Sequence, residues 1–534
     1  MVQQLMGDGV GVFDLRDEAW VPVRFTDGTR ARVGLRELFV RAHEISDLEV
    51  PVAPAAAGLL RVCAAIASRI GRPGGVPLAD EDLADDARGW EQERGAHLSL
   101  GRFDQAMVDA YFDDPRWADR FGLFDSRRPF LQDPRLGAQC VDAKGQPNPS
   151  GVNKLVFGRP TGVNGAVLFG HFTDGDPVPV DAGEAAWHLI AQLYFGPSGQ
   201  CTPRRITDHR TGSTDAGPLR KSVSYFPWAP DLFTTLVLCV PAPTGEGDPS
   251  ADACPWEEDL PDPLGAPVPL SGPGRLLTGR ARHSVLLVPD AEGRQVVDAY
   301  LTWATHAPPL EVRDPFTVRY RRKDGGWDDR EADGSRALWR DLDALLLKDS
   351  AVDSLRPPAL DRLPAGLLSV LRVRAYGFHQ DGQQKDTVWF QATTPPVLEW
   401  QEEESPQRAG QVLRCHRAAE DIGARLELAA LVAWKTATDL QAAEAERVKI
   451  DRRKPGPWAA AAVRAYWPAA ERRFWETLDA DDTTTAGEAL FVAEALAALD
   501  RAIGPGARAD LRVSRARNRA RNMLQALAPV RATI

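Results

Sequence analysis

The chain has 534 residues, of which 43% are hydrophobic and 26% charged, and its 64 basic and 75 acidic side chains give a formal net charge of −11. At roughly 100–200 residues per domain this length holds two to four domains, or one large domain with an appendage; the composition excludes bulk disorder and collagen-like repeats. No apolar run reaches the roughly 18 residues of a membrane span, and Met1 to Asp17 lacks the basic and apolar regions of a secretory leader. The cysteines, Cys63, Cys140, Cys201, Cys239, Cys254 and Cys415, form no C-x-x-C pair. Neither a zinc ribbon nor a disulfide framework is expected, and a cytoplasmic location fits best. An acidic chain is a poor free-standing, sequence-independent DNA binder, because phosphate neutralisation drives such binding. The charge is uneven, however: Arg501 to Ile534 holds eight arginines against Asp510, a local +7.

In chain order, the first 400 residues read as irregular α/β. Gly7 to Gly11 is glycine-rich but follows no strand, so it reads as a flexible terminus. Val21 to Phe25 reads as a strand closed by the Asp27-Gly28 turn. Ala55 to Arg69 is apolar on most faces, as in a buried helix, and Asp181 to Leu193 carries helical spacing. Thr234 to Val240 and Ser284 to Val288 read as buried strands stopped by Pro241 and Pro289. Pro134 to Gly151, Gly158 to Gly165 and Pro241 to Gly274 read as loops. Near residue 400 the composition shifts to Ala, Leu, Arg and Glu. Helices are expected over about 418–449, 458–478 and 508–527, with a third between them opened by Thr485 and Glu488 at capping-box spacing. The expected architecture is α+β: a large irregular α/β domain over 1–404, then an antiparallel four-helix bundle over 405–534.

Catalytic signatures are missing. There is no P-loop, no H-E-x-x-H and no G-x-S-x-G, so no cofactor, metal or catalytic residue is expected. Cys415 and His416 are neighbours on a helix, where their side chains diverge. Three other segments carry binding chemistry. Phe195-Gly196-Pro197-Ser198-Gly199-Gln200 follows a helix and precedes Arg204, Arg205, His209 and Arg210. Glycines there let backbone approach a ligand closely, although composition alone favours a helix cap with a surface loop. Gly377 to Asp386 lies between two strand-like runs and suggests a hairpin with an amide-rich tip. Arg319, Arg321, Arg322 and Lys323 end at Gly325-Gly326 and could face phosphates or simply solvent.

Together these segments resemble the CasA family, the large subunit of the type I-E CRISPR surveillance complex called Cascade. The N-terminal run Phe13 to Val23, the Gly34 to Phe39 segment followed by Ala42-His43, and Arg128-Pro129-Phe130-Leu131-Gln132 carry the likeness. The glycine loop, the glutamine-bearing hairpin and the C-terminal helices follow in the family's order. The resemblance implies a non-catalytic DNA-recognition subunit. It would read the protospacer-adjacent motif (PAM) of double-stranded target DNA from the minor groove, start strand separation for R-loop formation and recruit the helicase-nuclease. Gly196, Ser198 and Gly199 then correspond to the glycine loop, and Gln383 or Gln384, flanked by Asp381 and Gly382, to a wedge entering the duplex. Leu168, Phe169, Gly170 and His171 correspond to a loop meeting neighbouring subunits near the end of the guide RNA. Arg313 and Lys323 are candidates for the family's minor-groove lysine. Arg512, Arg515, Arg519 and Arg521 would track the displaced single strand. A purely structural scaffold and a nuclease with an unrecognised site are the alternatives.

Overall fold

The computed structural model describes residues 13–70, 87–161, 170–242, 251–270, 272–348, 353–380, 385–439, 441, 448–480, 487, 489–505 and 510–526. The chain divides into two compact units, Met1–Arg336 with Asp353–Leu398, and Ala337–Val352 with Glu399–Ile534. Among the described residues no helix is long and apolar enough to cross a membrane.

The first unit is mixed α/β, built from small antiparallel sheets around shared helices. Strand β1 (Val21–Phe25) is flanked by β2 (Arg30–Val33) and β3 (Ile45–Leu48). Its Val21, Val23 and Phe25 point to the core while Pro22 and Arg24 alternate outward, as the period of a half-buried strand requires. Helix α1 (Ala53–Arg69) is buried along almost its whole length. It packs on α2 (Ala182–Phe195) and on the strands of the next sheet. Even Arg61, inside α1, is fully buried. Its Nη2 meets Asp314 Oδ1 at 2.7 Å, and Arg280 holds the other carboxylate oxygen. Burial pushes the Asp314 carboxyl up, but the two guanidiniums outweigh it and keep the group below the usual carboxylate range.

After α2 come a two-stranded hairpin, β4 (Gly199–Ile206) with β5 (His209–Thr214), and then β6 (Val223–Trp228). The expected strand over Thr234 to Val240 is instead helix α3 (Leu232–Cys239). The run is apolar throughout, so its period cannot separate buried strand from buried helix. Asp231 decides: its side chain accepts from the Thr234 amide at 2.8 Å and caps the helix. The expected strand at Ser284 to Val288 is present as β7 (His283–Pro289), paired with β8 (Gln295–Trp303). A short hairpin, β9 (Arg319–Arg321) with β10 (Trp327–Asp329), follows. The last strands are β11 (Arg372–Gln380) and β12 (Asp386–Thr393), with β11 central between β12 and β6.

The second unit is helical. Helix α4 (Pro406–Thr438) begins well before the expected residue 418, with proline at its first turn, where the missing N–H costs nothing. Helices α5 (Pro457–Asp479), α6 (Ala489–Ile503) and α7 (Leu511–Gln525) complete the set. Helix α4 packs on the other three, and α6 packs on α5 and α7. Thr485 and Glu488, the expected cap of α6, lie outside the described residues. The segment Ala337–Val352 belongs to this unit. Arg340 makes a two-pronged contact to Glu420 at 2.8 Å each, and its guanidinium lies 3.4 Å from the Trp467 ring centre. Trp339 packs against Phe474 with ring centres 4.7 Å apart.

Candidate nucleic-acid interface

The glycine loop leaves the end of α2, where the last carbonyls of a helix need partners. The segment following β5 supplies them. Leu219 N donates to Tyr194 O at 2.9 Å, Gly217 N to Gly196 O at 2.9 Å, and Arg220 Nη1 to Phe195 O at 2.7 Å. Gly196 is buried, and a Cβ there would come within 2.6 Å of Gln192 O and 2.7 Å of His283 Cε1. Only glycine fits, for reasons of packing. Pro197 is exposed and Ser198 half-buried. Gly199 is exposed with φ +115°, and a Cβ there would meet nothing within 4 Å. The backbone at Gly199 is therefore in a region side chains disfavour, yet it faces open space.

His283 supports the loop from below, with Nε2 3.0 Å from Pro197 O. Burial pushes its pKa down to about 4. The ring is neutral at pH 7, so Nε2 carries the proton and donates to the carbonyl.

The hairpin predicted over Gly377 to Asp386 is formed by β11 and β12, whose pairing closes at Gln380 opposite Asp386. Asp381, Gly382, Gln383 and Gln384 lie outside the described residues. The base of the hairpin is joined to the glycine loop through Arg220. This arginine, with a side chain 2% exposed, places Nη1 on Phe195 O and Nη2 2.6 Å from Asp386 Oδ1. Burial lowers the Arg220 pKa, and the Asp386 carboxylate opposes the fall. Gln380 also donates to Asp386.

The β9–β10 turn joins the same block. Beyond β10, Arg330 O accepts from Val223 N at 3.2 Å, and Ala332 N donates to Lys221 O at 2.6 Å. Gly334 lies against Val388 of β12. Lys323 is exposed on this turn, whereas neighbouring Arg322 is drawn to Asp324 and Asp328. Arg313 is half-buried with its guanidinium on Arg356 O. Of the basic residues after the glycine loop, Arg204 turns inward to Asp133 at 2.7 Å, while Arg205 and Arg210 stand opposite each other and exposed.

The remaining candidates are spread over both units. Leu168 and Phe169 lie outside the described residues; Gly170 and His171 are exposed. On α7, Arg512 and Arg515 are exposed and Arg519 is half-buried. Arg521 is committed to Asp500 at 2.6 Å, beside Arg517 on the same carboxylate. Cys415 and His416 are both buried in α4, and His416 Nε2 bonds Arg340 O at 2.8 Å. Among the described residues no group of three or more His, Cys, Asp or Glu side chains could hold a metal ion.

Sequence reasoning singled out the segment that ends at Asp386 but missed Arg220 and His283. Nothing local marks these two, because each acts on a segment at least 25 residues away in the chain.

Residues 14–507 match the family described as CRISPR-associated protein Cse1. A curated relative, the CRISPR-associated protein CasA/Cse1 of Thermus thermophilus, is 29% identical over 341 residues, which are 62% of this chain and 60% of that protein. The match thus spans less than two thirds of that relative. A chain in a solved CRISPR RNA-guided surveillance complex is 38% identical, with TM-score 0.82 over 96% of this chain and 99% of that one. The structure of Thermus thermophilus CasA (Cse1) shares the fold at 21% identity, with TM-score 0.69 over 97% of this chain and 99% of that one. The chain is a member of the Cse1 family of CRISPR-associated proteins.

Proposed function

We propose that this chain is the large, non-catalytic subunit of a type I-E CRISPR surveillance complex. It reads the PAM on double-stranded target DNA and begins strand separation there. The observation that carries this reading is the Arg220 bridge. It ties the root of the glycine loop, whose backbone is open at Gly199, to the base of the glutamine hairpin at Asp386. The minor groove is narrow and its hydrogen-bond code degenerate, which suits an exposed glycine backbone. A side chain pushed into a duplex unstacks a base step at a cost of about a few kcal/mol. Binding at the glycine loop offsets that cost only if the two elements are held at fixed spacing, and guide pairing then carries the opening onward. Gln383 or Gln384 supplies the wedge, Lys323 and Arg313 add positive charge nearby, and 168–171 faces neighbouring subunits and the guide RNA. The C-terminal helices form an antiparallel four-helix bundle whose Arg512 and Arg515, with Arg519, follow the displaced strand. The assembled complex then recruits a helicase-nuclease in the cytoplasm.

The test is target binding by a guide-loaded complex with and without this chain, on matched and scrambled motifs, across a salt series. Motif-dependent binding conferred by the chain, lost in Gly199→Asp and in Gln383→Ala, supports the reading. In the glutamine variant a pre-melted target should still bind. Binding that ignores the motif makes the chain a scaffold. Divalent-metal-dependent DNA cleavage by the purified chain makes it a nuclease.

A further inference from the structure

Two histidines meet outside the glycine loop and the glutamine hairpin. His209 opens β5, and His306 follows the end of β8. Their Nε2 atoms stand 2.9 Å apart, with the ring centres 4.6 Å apart and the ring planes at 75° to each other. Both residues are exposed, so an ion in solution can reach them.

Each ring is delivered by a firm support. Trp303, the last residue of β8, is buried and donates Nε1 to Thr211 O at 3.1 Å. Its indole carries the His306 ring at 4.0 Å between centres and meets the His209 ring edge-on at 5.8 Å. His306 N donates to Pro263 O at 3.1 Å, and Pro308 and Pro309 follow soon after. On the other side, β4 returns into β5 through Thr207 and Asp208 alone, with Ile206 paired to His209. Thr207 sits at φ +49°, a region that a β-branched side chain disfavours. Such strain persists where the surroundings hold it, and here it brings His209 over to His306.

Neutral imidazole nitrogens suit copper, nickel and zinc, whereas magnesium and calcium take oxygen ligands. With metal–nitrogen bonds of about 2.0–2.1 Å, two ligands at a right angle stand about 2.9 Å apart and two tetrahedral ligands about 3.3 Å apart. The observed 2.9 Å is the right-angle value, the geometry of Cu(II) and Ni(II). In the ion-free pair one Nε2 donates its proton to the other. An ion takes both lone pairs, so the donor ring carries its proton on Nδ1 instead and both rings stay neutral.

We infer that His209 and His306 form an exchangeable site for a divalent transition ion of right-angle coordination, Cu(II) or Ni(II). Two protein ligands are fewer than the three or four that hold a resident zinc, so water fills the other positions. A bound ion clips the β4–β5 turn to the exit of β8. Because β4 starts at Gly199, the clip stiffens the arm that leaves the glycine loop. The inference does not rest on motif reading.

The test uses the full-length chain, free of any affinity tag and stripped of metal, at pH 7.5. In calorimetric titrations with the chlorides of copper, nickel and zinc, copper and nickel should bind at one site per chain more tightly than zinc. The chain holds nine histidines, so variants make the assignment. His209→Ala and His306→Ala should each weaken that site at least tenfold, and His306→Gln, which keeps a polar side chain beside Trp303, should do the same. Electron paramagnetic resonance of the Cu(II) form should show two coordinated nitrogens in the parent and one in either alanine variant. Nickel should raise the unfolding temperature of the parent and not of the variants. Copper and nickel isotherms unchanged in both alanine variants, copper coupled to a single nitrogen in the parent, or zinc bound more tightly than nickel overturns the inference. Gly199→Asp should leave nickel binding intact, so this site and motif reading fail or succeed separately.

Discussion

Arg220 and Asp386 meet at 2.6 Å across 166 residues of sequence, and the same arginine closes the end of α2 through Phe195 O. One buried guanidinium therefore fixes the distance between a loop and a hairpin. Replacing Arg220 by Met removes both bonds and leaves Phe195 O without that donor. Loss of a buried partner costs about 1–3 kcal/mol, so urea unfolding should shift by that order. Motif-duplex binding by the complex should fall further than the folded fraction. Asp386→Asn keeps a hydrogen-bond acceptor and should cost less. Equal effects of the two variants on duplex binding and on stability would argue against a spacing role.

The two glycines flanking Ser198 predict opposite phenotypes. Gly196→Ala forces a Cβ against Gln192 O and His283, an overpacking change of about 1–3 kcal/mol. It should appear in thermal unfolding. Gly199→Ala has room and pays only for its backbone region, about 1–2 kcal/mol. Its larger effect should be on duplex binding. A Gly196→Ala protein as stable as the parent would contradict the packing described.

Acid should weaken the fold in a definite window. Burial pushes His283 and His188 down to about 4, from an ordinary value of 6.5. Below pH 6.5 the unfolded chain takes up these protons while the folded chain refuses them, so stability is complete above 6.5 and falls as the pH drops to 4. Linkage sets the loss at about 3 kcal/mol for each histidine by pH 4. Urea midpoints measured from pH 7.5 to 4 should decline in the parent and decline less in His283→Gln. A flat profile down to pH 4 would refute the assignment of neutral, buried rings.

Asp500 restrains the positive charge of α7 by holding Arg517 and Arg521. Asp500→Asn leaves both cations uncompensated. Binding of single-stranded DNA by the complex should tighten, and its salt dependence should steepen. Because the pair is partly exposed, the stability change should stay within about 1 kcal/mol. Unaltered single-strand binding would remove α7 from the strand path.

Where local chemistry was strong, the elements were readable. The alternation in β1, the all-round apolar α1 and the stripes of α5 each state their own environment. The apolar run before Pro241 did not, because a buried helix and a buried strand look alike until the Asp231 cap is weighed. The start of α4 was hidden because Gln401 to Gly410 is polar enough to pass for a linker. At the candidate site, Gly196 and Gly199 stand out in sequence, but their different burdens do not: one is held by packing and the other by backbone conformation. Arg220 and His283 are invisible locally, since their roles arise only when distant segments meet.

The stapling of Trp339 and Arg340 onto the helices has a topological effect. The chain passes between the two units three times, near residues 336, 352 and 398. A protease that nicks the passage near 398 therefore frees no domain. The C-terminal fragment stays attached through the Phe474 and Trp467 surfaces that grip Trp339 and Arg340. The nicked protein should migrate as one particle in native gels and separate into two pieces only on denaturation.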